Sequence, residues 1–187
     1  MTLYLKAFII HHMQVGIGIS TTQGYIKAAK EAVEKAKAGL PPGANIDLAL
    51  IFSTDEFGHP LMLKTIADIL GRVPLVGASS IAVISHQGVF KHGLVVILFS
   101  LTQGTYFNAA CAKDLVKKSA LFTGKELGEQ LLSGCKNVRR NFSVVFSDLN
   151  LIDAPNLVAG LQEKLGKSFP LVGASIPSMA NRKKNCL

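Results

Sequence analysis

The stretch Pro74-Leu75-Val76-Gly77-Ala78-Ser79 occurs twice, because the same six residues return as Pro170-Leu171-Val172-Gly173-Ala174-Ser175, ninety-six positions later. An apolar segment ending in Phe-Ser precedes each copy, at Phe52-Ser53 and at Phe146-Ser147. A polar loop with an acid and a short helix-like run ending at glycine lie between. Each copy is therefore predicted to close a βαβ unit. We expect one domain over residues 1–187 made of two half-repeats, about 13–100 and 101–187.

The periodicity around these units predicts an α/β fold. Val15, Ile17 and Ile19 alternate with Gly16, Gly18 and Ser20, which indicates a strand with one bare face that another backbone layer or a ligand can approach. Ser20, Thr21 and Thr22 are predicted to cap the following helix. Its apolar stripe is formed by Ile26, Ala29, Val33, Ala36 and Leu40. The expected architecture is a mixed β-sheet with outer helices, a layered sandwich.

Further strands are predicted in both halves. Residues 82–85 and 93–99 flank His86-Gln87-Gly88 as a hairpin, and a strand is expected over residues 105–110. Helices are predicted over residues 60–70, 123–133 and 154–166. By internal symmetry two more strands belong after Ser175, but residues 179–187 are polar and aperiodic. The sequence is therefore expected to be shortened, with the C-terminal part of the second half missing.

Length and composition favour a soluble cytoplasmic protein. A chain of 187 residues with 49% hydrophobic residues can bury a core. Its three cysteines are odd in number and share no CxxC spacing, so neither a disulfide framework nor a zinc knuckle is predicted. The apolar runs, including the one within residues 1–12, are shorter than the roughly 20 residues of a membrane span. No secretory signal pattern opens the chain.

The formal net charge of +8 raises the question of nucleic-acid binding. Lysines on the first helix alternate with glutamates, as in Lys30 with Glu34 and Glu31 with Lys35, which is typical of a solvated helix face. The chain has no tryptophan and no basic helix interleaved with aromatics. We expect neither a nucleic-acid nor a membrane partner.

Common catalytic and metal-binding motifs are incomplete. Thr21 stands where Gly16-Ile17-Gly18 would need its third glycine for a dinucleotide site. Ile81 replaces the second glycine that a nucleophile elbow at Ser79 requires. None of the five histidines pairs with another at helical metal-binding spacing. A single histidine nevertheless suffices to hold a haem iron. We predict a non-enzymatic protein, assign no catalytic or metal residue, and leave the cofactor open.

Small polar residues at strand ends form the candidate site. In α/β sheets the loops beyond the carboxyl ends of strands border the usual ligand crevice. Carboxylates there can receive an ammonium group, and glycines let backbone amides approach a ligand. The alternative is that these residues serve only as caps and turns. The predicted ligand-binding residues are Ser53, Thr54, Asp55, Gly77, Ser79, Ser80, Ser147, Asp148, Gly173 and Ser175.

The order and spacing of these motifs resemble the N-terminal domain of the FIST family. The resemblance rests on Val15-Gly16-Ile17-Gly18, the alanine-rich helix, the strand ending at Ser53, and the two hexapeptides with Phe146-Ser147-Asp148. It runs from about Met13 to Ser175. It implies a sensory domain of signal-transduction proteins that binds amino acids or similar metabolites. The resemblance leaves two alternatives: a protein-interaction scaffold of the F-box-associated type, with a signalling or F-box-type partner, or a haem-based gas sensor.

Overall fold

The computed structural model describes residues 13–102, 104–112, 117–134, 140–148 and 152–176. It confirms a mixed α/β fold with helices packed on a mixed sheet. The elements, in chain order, are β1 (Gln14–Ser20), α1 (Tyr25–Ala38), β2 (Leu48–Thr54), α2 (Pro60–Leu70), β3 (Leu75–Ser80), β4 (Val83–Ser85), β5 (Gly88–Phe90), β6 (Leu94–Ser100), α3 (Ala120–Gly134), β7 (Ser143–Asp148), α4 (Ala154–Leu165) and β8 (Leu171–Ile176).

The first unit is a four-stranded sheet in the order β1-β6-β2-β3. β6 is antiparallel to both of its neighbours, whereas β2 and β3 are parallel, as a crossover through α2 requires. Ala49 and Ile51 on β2 face α1 and α2 in the main core. β2 is therefore a central strand with hydrogen-bonded neighbours on both edges.

The bare face of β1 receives a helix and not a ligand. A Cβ atom added to Gly18 would lie 1.8 Å from the Ala32 carbonyl oxygen of α1. This close contact explains why α1 buries small residues such as Ala28 and Ala32. The predicted stripe was wrong at Ile26, which is exposed. An alanine surface suits the short distance between the two backbones better than larger side chains do.

The second unit pairs β7 with β8 in parallel and packs α3 and α4 on one face. Its register matches that of the first unit at the repeated hexapeptide. Gly77 lies opposite Ile51 and Gly173 opposite Val145, and the serines that follow are opposite one another in both units. The helix predicted over 154–166 buries Leu157, Leu161 and Leu165 as expected.

The two units meet through residues that occupy equivalent places in them. The rings of Phe52 on β2 and Phe146 on β7 are 5.4 Å apart and nearly perpendicular. β3 also contacts β8. Phe52 and Phe146 occupy the same place in their βαβ units, so the two units touch through equivalent residues.

The strands predicted at 82–85 and 93–99 are present as β4 and β6, but their predicted pairing as a hairpin was wrong, and so was the strand predicted at 105–110. β4 pairs with the short β5, whereas residues 94–100 enter the main sheet as β6 between β1 and β2. Residues 105–110 form no strand. β1, their counterpart in the first unit, pairs with β6 alone, and the described residues of the second unit contain no equivalent of β6. A strand forms only where its backbone groups have a hydrogen-bonded neighbour, and no described strand pairs with 105–110.

Cys111 is disulfide-bonded, which the odd cysteine count did not predict. The apolar segment 1–12 and the polar tail from residue 179 lie outside the described residues. Across the parts of the chain that the structure describes, every helix is too short or too polar to cross a lipid bilayer.

Candidate functional site

The first group of candidate residues lies at the carboxyl ends of β2 and β3. Ser53 is opposite Ser79, and Thr54 is opposite Ser80. Ser53 shares the helix-facing side of β2 with Ile51 and is completely buried, and its Oγ atom has no hydrogen-bond partner among the described protein atoms. A buried hydroxyl is normally paired. The sheet edge therefore contains an unsatisfied polar group.

Thr54, at the same edge, is hydrogen-bonded to Gly93 through both its backbone and its side chain. Its backbone N–H donates to the Gly93 carbonyl oxygen at 2.9 Å, and its Oγ1 atom accepts from the Gly93 N–H at 3.2 Å. These bonds fasten the end of β2 to the start of β6. The Thr54 side chain is thus already used by the protein.

The second group lies at the carboxyl ends of β7 and β8. The Oγ atoms of Ser147 and Ser175 are hydrogen-bonded at 2.8 Å across the two strands. Ser147 shares the helix-facing side of β7 with Val145, which packs against α4. The second unit therefore satisfies internally the serine hydroxyl that the first unit leaves unpaired.

Gly77 and Gly173 are placed alike by the two units. A Cβ atom on Gly77 would lie 1.8 Å from the Ile51 carbonyl oxygen, and one on Gly173 would lie 1.8 Å from the Val145 carbonyl oxygen. Each glycine thus permits a neighbouring strand to come close. This steric requirement accounts for both glycines without a ligand.

The two acids stand just beyond or at the ends of their strands. Asp55 opens a short 3-10 turn, Asp55–Phe57, and its carbonyl oxygen accepts from the Gly58 N–H at 3.1 Å. Asp148 ends β7, and its carbonyl oxygen accepts from the Ile152 N–H at 3.2 Å. Both residues begin the loops that lead into the next helices, which places them at the predicted edge.

The helix N-termini at these edges already have caps. The Nδ1 atom of His59 accepts from the Leu61 N–H at 3.1 Å at the start of α2. The Oδ1 atom of Asp153 accepts from the Asn156 N–H at 3.2 Å at the start of α4. Because these amides are in use, the hydroxyls of the strand ends are the better candidates for contacting a ligand.

Sequence reasoning missed an aromatic and histidine cluster beside the first edge. Tyr25 and His59 stack with ring centroids 4.4 Å apart, and Phe57 lies 4.6 Å from the His92 ring. His92 Nδ1 pairs with a Glu56 carboxylate oxygen. Tyr25 and His92 lie more than 30 positions from the segment that holds Glu56, Phe57 and His59, so no local spacing could reveal the cluster. The described residues contain no group of three metal-ligating side chains.

A second missed feature is the network around Glu31. Its carboxylate accepts from the Lys35 ammonium and the Ser20 hydroxyl, each at 2.7 Å, and from the Thr22 hydroxyl. The prediction that Ser20, Thr21 and Thr22 cap α1 was wrong, because Gly24 is the cap residue and no side chain bonds there. The hydroxyls of Ser20 and Thr22 instead tie the end of β1 to the middle of α1.

This network lowers the pKa of Glu31 from 4.5 to about 2, chiefly through the Lys35 hydrogen bond and then through Thr22 and Ser20. A depressed folded-state pKa adds stability above the unfolded pKa, and that stability is lost as the pH falls. We expect wild-type protein to lose stability between about pH 4.5 and 2, relative to Glu31→Gln. Because a third of the side chain is exposed, the effect is modest and weakens with salt.

Urea unfolding as a function of pH measures this difference. Glu34→Gln, an exposed position on the same helix, is the matched control and is expected to run parallel to wild type. Parallel curves for Glu31→Gln and wild type would contradict the prediction.

A cavity lies at the other end of the first sheet. It measures about 590 Å³, is open to solvent, and is lined by residues 43–47 and by Leu70, Arg72, Val73 and Pro74. These residues surround the amino ends of β2 and β3. None of the ten predicted ligand-binding residues lines it.

These features define a class of protein: a mixed α/β domain with two βαβ units of matching register and polar residues at the carboxyl ends of their strands. A family model, the FIST N domain, matches residues 47–185. The chain therefore belongs to the FIST N domain family, a family of sensory domains in signal transduction. The match begins at the loop before β2, so it leaves out β1 and α1. No curated protein matches the chain.

Proposed function

We propose that this protein is a small-ligand-binding sensory domain, and that its ligand contacts the carboxyl ends of β2 and β3. The observation that carries this proposal is the Ser53 hydroxyl, which is buried without a hydrogen-bond partner in the described protein. Leaving such a group unpaired costs about 1–3 kcal/mol. A ligand that offers it a polar atom recovers that free energy.

The chemistry of the edge favours a small zwitterion. Ser53, Ser79 and Ser80 supply hydroxyls for a carboxylate, and Asp55 supplies a carboxylate for an ammonium group. Amino acids and similar metabolites carry both groups. Because Ser53 is fully buried, a ligand reaches it only after a local movement, and such a movement is what a sensory domain transmits.

Thermal unfolding against a panel of amino acids tests this proposal. A ligand present at ~100 times its dissociation constant adds about 2.7 kcal/mol, which raises the midpoint by several degrees. We expect Ser53→Ala to abolish the shift and itself to fold normally, because removing an unpaired buried hydroxyl is nearly neutral. Ser133→Ala, an exposed serine near the end of α3, is the matched control and keeps the shift.

The second candidate function is a protein-interaction scaffold with a signalling or F-box-type partner. It is favoured by the exposed apolar side chains of Val15 and Ile17 on β1 and of Met13 just before it. Cooperative unfolding with no ligand-induced shift would reject the sensory proposal and favour this function. Hemin belongs in the panel, since a Soret band on titration would direct attention to His59 and His92.

A further inference from the structure

Within the part of the chain that the structure describes, the outer edge of β7 has no neighbour, whereas its counterpart β2 has one on each edge. β2 is hydrogen-bonded to β3 on one edge and to β6 on the other. β7 pairs with β8, and among the described residues no strand pairs with its second edge. The outer edges of β3 and β8 do not raise this question, because these two strands are equivalent and both lie at the end of their sheets.

The backbone groups of this edge can be named. The Ser143 N–H donates to Pro170, just as the Ala49 N–H donates to Pro74 in the first unit. Backbone groups alternate between the two edges of a strand, so those of Val144 and Phe146 point to the open side. Val144 is 48% exposed. Their counterparts Leu50 and Phe52 lie opposite Ile97 and Val95 of β6.

In the first unit, the strand that pairs with the equivalent edge is β6, and its properties indicate which kind of strand would fit the edge of β7. β6 runs antiparallel to β2 and presents apolar residues on both faces of the sheet. A strand with the same properties is β7 itself, whose central residues are Val144, Val145 and Phe146. It contains no lysine or proline, the residues that usually protect an edge from pairing.

We infer that the occupant is a second copy of this chain, paired antiparallel through β7 across a two-fold axis. Centred on Val145, this register places Val144 opposite Phe146 of the other copy, so apolar side chains meet on both faces. The two short sheets join into one of four strands in the order β8-β7-β7-β8. The dimer is independent of ligand binding at the carboxyl edge.

Sedimentation equilibrium of the purified chain tests this inference. We expect a reversible dimer of twice the 20.0 kDa chain mass. Val144→Lys is expected to raise the dissociation constant at least about tenfold, because a charge at an edge position opposes strand pairing. The matched control is Val172→Lys, which puts the same charge on the same face of the sheet, opposite Val144 on β8, and leaves the dimer intact.

A second measurement keeps the test decisive if Val144→Lys fails to fold. In wild-type protein, hydrogen exchange at the Val144 and Phe146 amides is expected to slow as concentration rises through the dissociation constant. A chain that stays monomeric at every concentration would overturn the inference. So would a dimer with fast exchange at these amides, and so would equal dissociation by Val144→Lys and Val172→Lys.

Discussion

Replacing Gly77 by alanine is expected to destabilise the protein by about 3 kcal/mol or more. The new methyl group would lie 1.8 Å from the Ile51 carbonyl oxygen, far inside contact distance. Ile51 belongs to β2, which is held by β3 on one side and by β6 on the other. A shift of β2 away from the new methyl group would break its hydrogen bonds to β3 or strain those to β6. The clash therefore cannot be removed by a small backbone movement.

Gly173→Ala makes the same change in the second unit, against the Val145 carbonyl oxygen at the same 1.8 Å. At protein concentrations below the dissociation constant of the proposed dimer, β7 has one paired edge among the described residues, so it can shift away from β8 more easily. We expect this variant to lose about half as much stability, roughly 1–2 kcal/mol. Ser80→Ala, at the end of the same strand as Gly77, is expected to cost less than about 1 kcal/mol.

Urea denaturation of the three variants provides the measurement. An m-value close to wild type would show that only the stability of the folded state has changed. Equal losses for Gly77→Ala and Gly173→Ala would contradict the argument that the second ladder of β2 sets the cost.

Truncating Phe57 to alanine is expected to cost about 3–5 kcal/mol. The ring is 2% exposed, belongs to the main core with Met62 and Ile66, and has an edge-on contact with Tyr25, 6.4 Å between centroids. Removing it leaves a cavity where the loop after β2 meets both helices. It also removes the aromatic neighbour of His92.

Phe122→Ala is the matched control, because that phenylalanine is 56% exposed on α3. We expect it to change stability by less than about 1 kcal/mol. Thermal or urea unfolding distinguishes the two variants. Similar losses for both would mean that the Phe57 ring is not a core residue in solution.

Sequence periodicity correctly predicted the helices whose apolar residues recur at regular spacing along one face. The helix over Pro60–Leu70 and the inward positions Leu157, Leu161 and Leu165 were confirmed, because a buried stripe leaves a direct trace in the sequence. The strand predicted at 105–110 was wrong, and its pattern was less regular than that of β1. Among the described residues this segment has no hydrogen-bonded neighbour, and local spacing cannot show whether a strand has a partner.

The candidate site, too, could be predicted from the sequence only as far as the positions of its residues on the strands. Fold-level reasoning placed Ser53, Ser79, Ser147 and Ser175 at strand ends, and the register of both units agrees. It could not distinguish the paired hydroxyls of the second unit from the unpaired one of the first, since that depends on side-chain geometry. Nor could it find the cluster of Tyr25, His59 and His92, whose members lie far apart in sequence.

The contact between Phe52 and Phe146 has a consequence for ancestry. Residues in equivalent places that touch each other are what a duplicated and fused gene of a symmetric homodimer would leave in one chain. Under such a history the founding polypeptide would have been about half as long, and its two copies would have met phenylalanine to phenylalanine. Once both copies shared one chain, each would be free to diverge, and a serine hydroxyl paired in one half and unpaired in the other is a difference of that kind.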